Sequence, residues 1–76
     1  MKKIIEKYFY SRYPSLKKKD LSKIDLTEFV DSLSIFDLVY YLEKNFKLKI
    51  NQDEVLFKNF RSISNIEKMI KKKNRK

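Results

Sequence analysis

The stretch VDSLSIFDLVYYLEKNF, residues 30–46, has the periodicity that decides the fold class. At roughly 100° per residue, Ile35, Leu38, Val39, Leu42 and Phe46 gather on one side, the core face of an amphipathic helix. Leu33, Phe36, Asp37, Tyr40 and Lys44 lie nearly opposite, so three large apolar side chains and an acid share the outward surface. Asp31 or Ser32 heads the helix, because either can accept a hydrogen bond from an unpaired amide of the first turn. Ser32 therefore stands beside an outward strip of Leu33, Phe36 and Tyr40.

Toward the N-terminus, Ile4, Ile5, Tyr8, Phe9 and Arg12 recur at helical spacing. Pro14 disfavours the helical conformation at Tyr13, which predicts a first helix over 2–13. In SLKKKDLSKIDLTEF, residues 15–29, Leu16, Leu21, Ile24, Leu26 and Phe29 follow no sustained period. That segment reads as a long loop pinned by apolar anchors, and long ordered loops tend to be functional. Toward the C-terminus, KLKI at 47–50 reads as a linker with Leu48 and Ile50 inward. Asn51 and Glu54 form a reciprocal capping pattern that starts a short third helix. Ser64 and Glu67 repeat it ahead of Ile66, Met69 and Ile70. The final helix is expected from residue 65 for about two turns, fraying in the basic tail 71–76. Phe57, Phe60, Ile63 and Met69 read as core. No internal repeat is visible and Gly is absent, so the turns must use other residues. The expectation is an all-α chain: a small four-helix bundle with a long first loop and a short third helix, one domain over 1–76.

Seventy-six residues are too few for two cores and lie near the size at which one core is only marginally stable. There is no Cys and no His, which removes disulfides, thiolate metal sites, the commonest general base and the commonest metal ligand. Self-contained catalysis and a resident metal are not expected. The opening MKKIIEKYFY has a basic start, but Glu6 and Lys7 interrupt its apolar run, so the chain reads as cytoplasmic, without a transmembrane span.

The formal charge of +9 is unevenly placed. Residues 1–19 hold seven bases against one acid and residues 71–76 five bases and no acid, while residues 20–70 hold nine acids against seven bases. Within the middle, residues 24–43 carry Asp25, Glu28, Asp31, Asp37 and Glu43 and no Lys or Arg.

Asp31-Ser32-Leu33 is a weak signal alone, since Asp and Ser cap many helices. The longer run DSLSIFDLVYYLEKNFKLKI followed by DEVLFKNFRSISNIEKMI resembles the acyl carrier proteins and the related aminoacyl and peptidyl carrier domains. The resemblance spans residues 26–70, and helix one matches in position and length. It implies a bundle of acyl-carrier type in which Ser32 carries a covalent 4′-phosphopantetheine arm, derived from coenzyme A, that holds acyl or aminoacyl groups as thioesters. It implies that Asp31 helps position metal or substrate in the complex with a phosphopantetheinyl transferase. It also implies that Asp37 and Glu43 meet basic patches on partners, with Leu33, Phe36 and Tyr40 as an apolar docking strip. A loading ligase or transacylase and a downstream acyltransferase or synthase would complete the partners of a monomeric carrier. The imported thiol fits a chain that has no sulfur nucleophile of its own. Val30 replaces the glycine usual before the motif, and Ser34, Lys44 and Asn45 stand where acids are common. These departures point to a specialised carrier rather than the housekeeping carrier of fatty-acid synthesis.

The competing reading is a small basic helical module for nucleic acid or anionic surfaces, carried by Lys17–Lys19 and Lys71–Lys73. The acidic central helix and the confinement of basic charge to the ends disfavour nucleic acid. Both clusters read first as solvated charge.

Overall fold

The computed structural model describes residues 1–73, all of whose regular elements are helical. Four α-helices, α1 (Lys2–Arg12), α2 (Ser34–Phe46), α3 (Phe57–Phe60) and α4 (Ile63–Lys73), follow in order, with short 3-10 turns between the first three and a two-residue corner between α3 and α4. α1 buries Ile5, Tyr8 and Phe9. It stops one residue earlier than its spacing predicts: Tyr13 leaves helical geometry at φ −126° and ψ 81°, in keeping with the restriction imposed by Pro14.

The long first loop is built of three 3-10 turns, Pro14–Leu16, Leu21–Lys23 and Leu26–Glu28. Each contributes one buried leucine, Leu16, Leu21 or Leu26. The second and third turns share one local device. Asp20 Oδ1 accepts the Ser22 amide at 3.0 Å, and Asp25 Oδ1 accepts the Thr27 amide at 3.0 Å. DLSK and DLTE are thus near-copies five residues apart, a short local repeat in a chain with no longer one. The Leu26 amide donates to the Arg61 carbonyl at 2.8 Å, tying the loop to the corner between α3 and α4.

α2 buries Ile35, Leu38, Val39 and Leu42 as its periodicity predicts, with Phe46 half-buried at the edge. It ends on Lys47 in the left-handed conformation at φ 52°, a position that usually falls to glycine and here cannot. The linker then turns Ile50 inward, with Leu48 half-buried.

Two expected boundaries are corrected. The Asn51 and Glu54 capping box is present, but it closes a single 3-10 turn, Gln52–Glu54, instead of opening a helix. Val55 and Leu56 then leave helical geometry, at ψ 72° and 142°, so the third helix is one turn at Phe57–Phe60. α4 starts at Ile63, with Ser62 Oγ accepting the Asn65 amide at 3.1 Å, so Ser62 rather than Ser64 is the cap. Ile63 is buried with Ile66, Met69 and Ile70, and an earlier start brings it onto the same inward face. α4 is therefore eleven residues through Lys73; the rest of the tail expected to fray lies outside the described residues. Phe60, Ile63 and Met69 are core residues, whereas Phe57 is 46 % exposed, a correction to its expected burial. No charged side chain is buried among the described residues.

Candidate functional site at the head of α2

Asp31 builds the start of α2. Its Oδ1 accepts the amides of Leu33 at 3.0 Å and Ser34 at 2.7 Å, and its carbonyl accepts the Ile35 amide at 3.0 Å. The cap is thus Asp31, and Ser32 and Leu33 form the turn that precedes regular helix at Ser34. The Ser34 amide, with further donation from the Ser34 hydroxyl and the Leu33 amide, holds the Asp31 carboxyl below the usual carboxylate range. Asp31 is accordingly ionised at neutral pH and complements the positive end of α2.

Because Asp31 takes the capping bonds, Ser32 has none to make. Its side chain is exposed, and its hydroxyl forms no hydrogen bond among the described residues. Val30, immediately before the motif, is buried at 1 %, so the loop is anchored within two residues of the free hydroxyl. The hydroxyl is thus open to an approaching molecule, in a chain with no histidine to act as its base.

The outward strip is present in the geometry that the spacing predicts. Leu33 is 81 % exposed, Phe36 56 % and Tyr40 65 %, on the side of α2 opposite the buried Leu38 and Leu42. No family model, curated protein or solved structure matches this chain.

The two acids expected beside the strip have internal partners. Asp37 Oδ2 pairs with Arg12 Nη2 at the end of α1, both side chains remaining about half exposed. Glu43 Oε2 accepts the Ile50 amide at 2.9 Å and holds the 47–50 linker against α2. Helical spacing reveals neither bond: Arg12–Asp37 depends on how two helices twenty-five positions apart pack, and Glu43–Ile50 on how the linker after α2 folds back over seven. Among the described residues no group of three or more His, Cys, Asp or Glu is placed to hold a metal ion.

Proposed function

We propose that the chain is a carrier protein of acyl-carrier type, whose Ser32 is modified with 4′-phosphopantetheine and presents acyl or aminoacyl groups to separate enzymes. The observation that carries this reading is the exposed, unbonded Ser32 hydroxyl at the head of α2, capped by its neighbour Asp31 and followed by the apolar strip Leu33, Phe36 and Tyr40. An enzyme has to reach the oxygen, and a transient partner needs something to hold beside it. Both requirements are met on one face.

The residues present fit the group. The helix start suits a phosphodiester, since the dipole of α2 favours an anion there, although Asp31 already occupies two of the free amides. The arm would supply the thiol that the chain lacks. Coenzyme A would be the donor: a bond forms from Ser32 Oγ to phosphorus, the pyrophosphate bond breaks, and adenosine bisphosphate leaves. The hydroxyl proton passes to a base of the transferase, and Asp31, with one carboxylate oxygen outside the capping bonds, is the residue of this chain nearest in sequence to assist.

Asp37 and Glu43 remain the acids of this face, each first engaged within the chain, so the strip contributes more to partner recognition than charge does. Loading and unloading enzymes would dock weakly and release quickly. The test is an intact mass after incubation with coenzyme A, Mg²⁺ and a broad-specificity phosphopantetheinyl transferase. One adduct is expected on the wild type and none on Ser32→Ala. An unmodified wild type across several transferases would reject the reading.

A further inference from the structure

Away from Ser32 and its strip, α3 and α4 enclose an open groove of about 640 Å³. Lys58 lines it from α3, and Lys68, with Lys72 and Lys73 one turn further on, from α4. Lys73 is neutralised by Glu54, with Nζ 2.5 Å from Oε1. Lys58, Lys68 and Lys72 are exposed and carry no ion pair among the described residues, and Asp53 is the one other acid on the groove wall. The surface is thus cationic in a chain whose α2 face holds the acids. Its lip is apolar: Leu56, which lines the groove, is 43 % exposed, and Phe57 beside it is 46 % exposed.

We propose that this groove and its Leu56–Phe57 lip dock the headgroup surface of an anionic membrane. Charge complementarity and the placement of apolar groups select that occupant. Long lysine stems reach outward to headgroup phosphates while two adjacent apolar side chains enter the acyl boundary, the arrangement by which a protein lies on a bilayer without crossing it. No helix among the described residues is long and apolar enough to cross one. Nucleic acid fits less well. The groove wall holds no arginine for paired phosphate or base contacts, and the lip offers a single ring, Phe57, rather than the series of aromatic platforms on which successive bases stack. The proposal uses none of the residues of the carrier reading, so the two stand or fall separately.

The test is co-sedimentation of the full chain with vesicles of phosphatidylcholine and phosphatidylserine in equal parts, against vesicles of phosphatidylcholine alone. Binding is expected only to the mixed vesicles, weakening with added salt. Each groove lysine replaced by Gln should lower partitioning about fivefold, and Lys58, Lys68 and Lys72 together about a hundredfold. Replacing Lys17, Lys18 and Lys19 by Gln removes the same charge elsewhere and should leave most of the binding, as should Ser32→Ala. Leu56→Ser should weaken binding without changing its salt dependence, and circular dichroism should match the wild type throughout. No binding to mixed vesicles would overturn the proposal, as would equal losses in the two triple-lysine variants. Tighter binding to duplex DNA that is lost in the groove variant would overturn it too, assigning the lysines to nucleic acid.

Discussion

Arg12, the last residue of α1, pairs with Asp37 in the first turns of α2 across twenty-five positions of sequence, and the same guanidinium lies 5.7 Å from the ring centre of Tyr8. The pair joins the helix that begins the chain to the helix that presents the candidate site. Tyr41 reinforces the joint, its hydroxyl donating to the Ile4 carbonyl at 2.7 Å.

Both charges of that pair are about half exposed, so solvent screens their attraction. A double-mutant cycle of Arg12→Gln and Asp37→Asn, read by urea denaturation, should give a coupling below about 1 kcal/mol that shrinks further in added salt. Arg12→Gln alone should cost more than Asp37→Asn alone, because it also removes the contact with Tyr8. A larger loss in the Asp37 variant would mean that the guanidinium's packing contributes little.

Acid sensitivity follows from four carboxylates. Asp20, Asp25 and Asp31 are held below the ordinary aspartate value of 3.8 chiefly by hydrogen bonds from Ser22, Thr27 and Ser34, and Glu54 below 4.5 chiefly by Lys73. A depressed folded-state pKa gives stability that is fully present above the unfolded value and is lost as pH falls through the folded one. Thermal stability should therefore hold from neutrality to about pH 5 and fall below that. In the triple variant Asp20→Asn, Asp25→Asn, Asp31→Asn the acid fall should be shallower, since an asparagine at each position can keep the amide bond without titrating. An unchanged acid limb would assign the sensitivity to other groups.

Lys47 ends α2 at φ 52°, its amide donating to the Glu43 carbonyl. A side chain bearing a Cβ is strained there and glycine is not, so Lys47→Gly should raise stability by up to about 1 kcal/mol, less the extra freedom that glycine gives the unfolded chain. Chemical denaturation decides it. A loss of stability would show that the lysine side chain contributes more than its backbone costs.

How far the sequence discloses the structure depends on whether a feature is periodic or assembled. Ile35, Leu38, Val39 and Leu42 were legible because one helix face meets one core, and the same period placed Leu33, Phe36 and Tyr40 outside. The turns at Leu21 and Leu26 were not, because three residues hold no period. Their signal is local: Asp with Ser or Thr two residues on, at Asp20 and again at Asp25. The start of α4 is not legible because Ser62 and Ser64 are chemically equal as caps; the burial of Ile63 and the Asn65 amide bond to Ser62 separate them in the fold. At the candidate site, the place of Ser32 was readable, whereas the partners of Asp37 and Glu43 arise from packing against Arg12 and Ile50.

The strip itself gives the prediction that separates docking from incidental exposure. Tyr40 is 65 % exposed and no hydrogen bond of its hydroxyl is found among the described residues, so Tyr40→Glu should change stability by no more than about 0.5 kcal/mol and leave the helical circular dichroism intact. If partner enzymes grip the strip, the same substitution places a charge in the middle of a desolvated contact, and modification or loading of Ser32 should slow by tenfold or more, as expected for roughly 1.4 kcal/mol of lost docking. Tyr40→Phe, which keeps the ring, should behave as wild type. Equal rates for Tyr40→Glu and wild type with the transferase and with a loading enzyme would leave the strip as ordinary exposed surface.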